Sequence, residues 1–308
     1  MISTIGIHRS VEAVFPPEKL ETALSDIEPE VRTVSTAELD ACEALVTFGY
    51  DERFLESGIE WIHSIQAGVD RFPFDDIEAE DVALTNSTGI HGDTVGETAL
   101  GYMLSFARGL YVYRDRQREV EWSRQPYDVP FSLGDSSACV VGLGTLGRGI
   151  ATRANALGMD VVGVKRTPTP VDGVETVYPS VELDTAIADA KFVVLAVPLT
   201  DRTEGLIGEA ELSAMRSDAI VINVARGPVV EEAALVEALD ADAIGGAALD
   251  VFETEPLPLE SPLWRMENVL LTPHIAAATE AYYRRIAPLV RENARRYAEG
   301  ETLTNRVI

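Results

Sequence analysis

The chain has 308 residues, 46% of them hydrophobic, which is more than one core normally holds, so two domains are expected. A formal net charge of −26 argues against a nucleic-acid partner, because the phosphate backbone selects clustered cations. No basic stretch leads into an apolar run at the N-terminus and no apolar run is long enough to span a bilayer, so the chain reads as soluble and cytoplasmic with no membrane partner.

Five short apolar runs open the chain as expected strands: Ile2–Ile7, Val31–Val34, Ala44–Phe48, Trp61–Ile65 and Val82–Thr85. Amphipathic segments such as Pro17–Leu24 and Asp51–Glu56 lie between them, the alternation of a parallel α/β sheet. From about Gly92 to Arg124 the pattern turns helical, with Val95, Leu100, Met103, Leu104, Ala107 and Leu110 at spacings of three to five. This segment is expected to carry the chain between domains. A second α/β series follows, with strands at Ala138–Val141, Asp160–Val164, Phe192–Val197, Ala219–Val224, Ile244–Leu249 and Val269–Leu271, and helices at Thr145–Leu157, Val181–Ala190 and Glu231–Leu239. The amphipathic segment Glu280–Tyr297 comes after that series is complete. The order therefore predicts a discontinuous domain of residues 1–95 plus 280–308 and a second domain of residues 96–279.

Inside the second series, the strand ending at Val141 runs into Gly142-Leu143-Gly144-Thr145-Leu146-Gly147 and then a helix and a further strand. That context makes the glycine pattern a dinucleotide-binding turn. Gly142 permits the tight turn, Gly144 lets the backbone approach a pyrophosphate, Gly147 lets helix and strand pack, and the first helical positions, Thr145 and Leu146, offer N–H groups to phosphate. At the end of the next strand, where an acidic residue would bind the ribose 2′-hydroxyl of NAD, the chain has Lys165-Arg166-Thr167. Two cations and a hydroxyl suit a 2′-phosphate, so NADP(H) is the expected cofactor, with NAD(H) tolerated.

Three later segments follow apolar strands, where open α/β sheets place ligand groups. Asn223–Gly227 carries Arg226, able to fork onto a carboxylate. Leu249–Leu257 carries Asp250, Glu253 and Glu255, and Leu271–Ala276 carries His274. A lone strand-end histidine is more often a satisfied core residue; a carboxylate partner turns it into an acid–base candidate.

Together with Ala67–Asp70 and Asn86–Glu97, these segments resemble, in order and spacing, the D-isomer-specific 2-hydroxyacid dehydrogenase family over nearly the whole chain. The resemblance implies two doubly wound parallel-sheet α/β domains with a cleft between them: a flavodoxin-like substrate domain and a Rossmann dinucleotide-binding domain. It implies reduction of small 2-keto acids to D-2-hydroxy acids, with Arg226 on the substrate carboxylate and carbonyl, His274 as the acid–base residue and Glu255 as its partner. The amides of Gly68 and Val69 would share the carboxylate. Asp250 would hold the nicotinamide carboxamide, with Val224, Ala225 and His274 beside the ring, while Glu253 is left as a solvated charge. A homodimer is implied, for which the helix from about Gly92 offers an apolar face.

Two departures stand out: Gly96-Glu97 replaces the family's common Ala-Glu pair, and the acidic residue after the second strand is missing. Formate and phosphite dehydrogenases are rivals within the fold, although formate dehydrogenases typically pair the histidine with glutamine. Nucleotide-sensing corepressors share the triad but carry extra tails, whereas this chain ends soon after its last amphipathic segment. Tyr50, Phe72 and Trp264 are candidate pocket walls.

Cys42 and Cys139 each sit in an apolar run and are expected to be buried, reduced thiols, and His8, His63, His91 and His274 are too scattered to suggest a metal site. Only Lys19, Lys165 and Lys191 are lysines, and the carboxylates are spread along the whole chain. Such a surface suits a halophilic cytoplasm, where molar salt screens its self-repulsion.

Overall fold

Each of the eleven apolar runs expected as strands is a strand in the computed structural model, which describes residues 2–308. The chain divides into two units, residues 2–90 with 278–308, and residues 91–277.

In the first unit β1 (Thr4–His8) is followed by α1 (Pro17–Ala23), β2 (Glu30–Val34), β3 (Ala44–Thr47), α2 (Arg53–Glu56), β4 (Trp61–Ser64), α3 (Phe74–Ala79) and β5 (Ala83–Thr85). The strands form one parallel sheet in the order β2-β1-β3-β4-β5. Every residue of β3 and β4 is buried, as expected for parallel strands covered on both faces.

The second unit opens with α4 (Gly92–Arg108) and α5 (Leu110–Arg118). Here the structure corrects the expectation of one helix to Arg124. Gly109 takes a left-handed φ of 61° and its N–H returns to the carbonyls of Ser105 and Phe106, which ends α4. No residue of α5 is buried, so no apolar face carries the helix past Arg118.

Then come β6 (Ser137–Val141), α6 (Thr145–Ala156), β7 (Asp160–Val164), β8 (Thr176–Tyr178), α7 (Leu183–Ile187), β9 (Phe192–Leu195), α8 (Glu209–Ala214), β10 (Ile220–Asn223), α9 (Glu232–Asp240), β11 (Gly246–Leu249) and β12 (Val269–Leu271). Their strands form a seven-stranded parallel sheet, β12-β11-β10-β9-β6-β7-β8. The expected helix over Val181–Ala190 is shorter, with a 3-10 turn at Ser180–Glu182 preceding α7.

Helices α4 and α6 meet backbone to backbone. A methyl on Gly149 would lie 1.9 Å from the Gly92 carbonyl oxygen and one on Gly96 2.6 Å from that of Gly149. Gly96, where the resembled family commonly has alanine, is thus set by the approach of α6. Arg153 adds ion pairs to Asp93 at 3.1 Å and Glu97 at 3.4 Å.

The chain re-enters the first unit with α10 (Tyr282–Glu299). Arg291 donates to the Ala23 carbonyl and pairs with Asp26, both at 2.8 Å, tying α10 to the end of α1. Cys42 and Cys139 are free and buried. Among the described residues no helix is long and apolar enough to cross a membrane, and no group of three or more His, Cys, Asp and Glu side chains is placed to hold a metal ion.

Candidate active site

In the second unit the strand order reverses about β6, with β7 on one side and β9 on the other. The carboxyl end of such a switch point is where open α/β sheets bind ligands. There Gly142 has a φ of 97°, and its N–H donates to the Val164 carbonyl at 2.9 Å. A Cβ at Gly147 would lie 1.8 Å from the Gly142 oxygen, whereas one at Gly144 would meet no atom within 4 Å. The turn is therefore closed against its own helix and open outward at Gly144. No side chain caps α6, so the first-turn amides at Thr145 and Leu146 remain for an anion. Shape and donors both fit a pyrophosphate.

Lys165, Arg166 and Thr167 follow the end of β7. The Lys165 N–H donates to the Tyr178 carbonyl at 3.0 Å and its ammonium to Thr169 Oγ1 at 2.9 Å, while Arg166 and Thr167 are exposed. No carboxylate occupies the three positions, so the strand end presents cationic and hydroxyl donors where a ribose would lie.

Arg226 projects from a turn closed by Asn223. The Asn223 side chain donates to the Arg226 carbonyl and accepts from the Ala225 N–H, both at 3.0 Å. Val224 and Ala225 are buried, and the Arg226 guanidinium also donates to the Ala225 carbonyl at 2.8 Å. A Cβ on Gly227 would lie 1.9 Å from the Phe252 carbonyl carbon; glycine lets this turn lie directly on the segment leading to Glu255.

His274 and Glu255 are brought together: Nδ1 lies 3.0 Å from Oε2. Because an ionised carboxylate only accepts, Nδ1 carries the hydrogen and Nε2 is the atom that gains or loses a proton. The other Glu255 oxygen accepts from the Phe252 N–H at 3.3 Å, and the Glu255–Pro256 peptide is cis. His274 has a φ of 53°, a strained conformation for a residue with a side chain. Asp250 holds it there. Its carbonyl accepts the His274 N–H at 2.8 Å, and its buried carboxylate accepts from Thr272 Oγ1 at 2.5 Å and from the Ile275 and Ala276 amides at 2.9 Å each. Tyr102 OH lies 2.5 Å from Thr272 Oγ1.

This frame of Tyr102, Thr272 and Asp250 was not legible as such in the sequence. Thr272 and Asp250 stand in the strand-end motifs, but nothing in the helical pattern from Gly92 singles out Tyr102. Glu253 is exposed, as expected of a solvated charge, and it also accepts the Glu232 N–H at 3.0 Å at the start of α9.

In the first unit the segment after β4 carries Gly68 and Val69. Among the described residues neither amide donates to a protein acceptor. Phe72 is buried beside Tyr50, with ring centroids 5.8 Å apart. Trp264, in the second unit, is half exposed and donates to the Pro258 carbonyl at 2.9 Å.

Residues 100–276 match the model of the NAD-binding domain of D-isomer specific 2-hydroxyacid dehydrogenases. The chain belongs to that family. It is accordingly an oxidoreductase built from two parallel-sheet α/β domains. Among its relatives, glyoxylate/hydroxypyruvate reductase B of Yersinia enterocolitica is 33% identical over 89% of this chain and 85% of its own length. Glyoxylate reductase of Thermococcus litoralis is 34% identical over 88% and 84%. Among solved structures, a family member from Xanthobacter autotrophicus in complex with NADPH and MES superposes with a TM-score of 0.84, 31% identity and coverage of 100% and 98%. An NADPH-dependent glyoxylate/hydroxypyruvate reductase from Sinorhizobium meliloti, in complex with NADP and sulfate, gives 0.82, 27%, and coverage of 99% and 98%.

Proposed function

We propose that this dehydrogenase reduces small 2-keto acids of the glyoxylate and hydroxypyruvate class to D-2-hydroxy acids with NADP(H), accepting NAD(H) less well. The observation that carries the reading is the His274–Glu255 pair at a strand end of the sheet that also bears the dinucleotide turn. A bound reduced nicotinamide supplies the hydride. In its imidazolium form His274 donates a proton from Nε2 to the oxygen of the forming alcohol, and Glu255 keeps the ring oriented. Arg226 binds the substrate carboxylate and polarises the carbonyl. In the first unit, Gly68 and Val69 offer amide N–H groups suited to a substrate carboxylate.

For the cofactor, Gly142, Gly144, Thr145, Leu146 and Gly147 would hold the pyrophosphate, and Lys165, Arg166 and Thr167 the 2′-phosphate. Val224, Ala225, Asp250 and His274 would serve the nicotinamide end. Three donors already occupy the Asp250 carboxylate, whose two oxygens retain room for one more, which suits a carboxamide. The sheet of residues 96–279 is the dinucleotide-binding domain, and residues 1–95 with 280–308 the substrate domain. The two relatives named as glyoxylate reductases support the substrate class and the two cofactor-bound neighbours support NADP(H).

The test is steady-state oxidation of NADPH and NADH by the purified protein with glyoxylate, hydroxypyruvate and longer 2-keto acids. Turnover of glyoxylate or hydroxypyruvate with a higher kcat/KM for NADPH is expected. No turnover with any acid, alongside tight NADPH binding, would favour a nucleotide-sensing role instead.

A further inference from the structure

The segment Ser64–Ala67, between β4 and the Gly68–Val69 amides, is held through its carbonyls. All four of them accept hydrogen bonds from donors remote in sequence. Ser87 Oγ donates to the Ser64 carbonyl at 3.0 Å and the Ser87 N–H to that of Gln66 at 2.9 Å. Tyr282 OH, from the first turn of α10, donates to the Ile65 carbonyl at 2.8 Å. Asn86 Nδ2 donates to the Ala67 carbonyl at 2.8 Å.

These donors are themselves held. Asn86 is oriented by the Thr88 N–H, which donates to its Oδ1 at 3.0 Å. Since Ser87 Oγ spends its proton on Ser64, it accepts from His63 Nε2 at 3.2 Å, which places the His63 proton on Nε2. His63 Nδ1 lies 2.9 Å from Thr85 Oγ1, which accepts from Trp61 Nε1 at 2.8 Å and also donates to the Ile62 carbonyl at 3.4 Å. These side chains lie in a fully buried setting.

A peptide unit is planar and trans, so its C=O and the following N–H point opposite ways. Holding the Ala67 carbonyl therefore aims the Gly68 N–H away from Asn86, and holding the three carbonyls before it stops the segment from rotating. We propose that Asn86, Ser87 and Tyr282 are positioning residues that fix the direction of the Gly68–Val69 amides for a substrate carboxylate. The inference rests on the reading of those amides as carboxylate donors. None of the three side chains needs to touch the substrate; they act by removing the loop's alternative orientations, which lowers the entropy lost on binding.

The experiment is titration of oxalate, a non-reacting dicarboxylate, into the NADPH-bound protein, followed by the amide resonances of Gly68 and Val69. Steady-state kinetics with glyoxylate run alongside for Tyr282→Phe, Asn86→Ala, Ser87→Ala and the hydroxyl-retaining Ser87→Thr. In the unaltered protein both amides shift. In Tyr282→Phe, Asn86→Ala and Ser87→Ala the oxalate Kd and the KM for glyoxylate rise together by about three- to ten-fold, the range one hydrogen bond sets, while kcat and the NADPH Kd stay constant. Ser87→Thr stays near the unaltered protein. A merely structural role would lower the melting temperature and the active fraction but leave KM in place. Amide shifts in the unaltered protein with unchanged oxalate Kd in the first three variants would overturn the positioning role alone. No amide shift at all would remove the carboxylate reading, and the positioning role with it.

Discussion

His274 and His63 show how one side-chain type takes opposite roles from its partners. His274 is partly exposed and faces a carboxylate, with Nδ1 3.0 Å from Glu255 Oε2. His274→Gln keeps a polar side chain but cannot titrate. Its kcat with glyoxylate should fall about 10²–10⁴-fold, and near-normal turnover would reject the assignment. His63, by contrast, is fully buried, and burial holds its pKa down to about 3. It stays neutral in the fold, while in the unfolded chain it takes a proton near pH 6.5. Between those values the unfolded state binds the extra proton, so stability is lost as pH falls from about 6.5 toward 3 and is restored as pH rises. The slope from this residue is at most about 1.4 kcal/mol per pH unit. Urea midpoints measured across that range should therefore fall more steeply for the unaltered protein than for His63→Gln. Parallel curves would show that His63 protonates without opening the structure.

Among the elements, the cofactor strand end offers the sharpest separation of effects. Lys165 and Arg166 follow β7, with the Lys165 backbone tied to β8 and no acidic neighbour at 165–167. Replacing both with alanine should weaken NADPH by ten-fold or more, since each charge-assisted hydrogen bond is worth about 1.5–3 kcal/mol, and change NADH little. Equal loss for both coenzymes, read by fluorescence titration, would count against the 2′-phosphate contact. The glycine turn and the eleven strands were legible in the sequence because their signals are local: apolar runs of strand length bounded by turn residues, and a fingerprint in its βαβ setting. What escaped was decided by remote contact or by shortness. The break at Gly109 depends on a left-handed residue within a helical pattern. β8, with three residues at the sheet edge, and α3 and α8, with six each, are too short to show a period. The necessity of Gly96 depends on Gly149, more than fifty residues away. At the site, the strand-end positions of Arg226, Glu255 and His274 could be read from motif order, whereas the hold of Asp250 on the His274 loop could not, because it is made by hydrogen bonds onto backbone amides.

For the whole molecule, two features of the surface bear on behaviour in solution. Trp122 and Tyr127 are fully exposed, and Leu110 and Val129 about half exposed, in a stretch that also carries Arg114, Arg116, Arg118 and Arg124. The stretch also carries Asp115, Glu119, Glu121 and Asp128, so it has no net charge, and its exposed rings are what suit it to a second copy of this chain. We propose a homodimer through this stretch. Light scattering should show a dimer for the unaltered protein and a shift toward monomer for Trp122→Ser with Tyr127→Ser; an unaltered protein that is monomeric throughout would exclude it.

The second feature is charge. The first unit carries 23 acidic against 11 basic residues and the second 28 against 14, so self-repulsion acts within each unit and is not confined to a tail. Native carboxylates lie closer together than in the unfolded chain, and their repulsion is carried over distances that salt cuts from about 8 Å at 0.15 M to about 3 Å at 1 M. Raising KCl across that interval should raise the melting temperature by several degrees, with most of the gain below about 1 M, where the screening length changes fastest. NaCl at equal ionic strength should give the same curve, because screening depends on ionic strength. A melting temperature unchanged between low and molar salt would mean that the acidic surface imposes no salt requirement, and a gain seen with one cation alone would point to specific ion binding in place of screening.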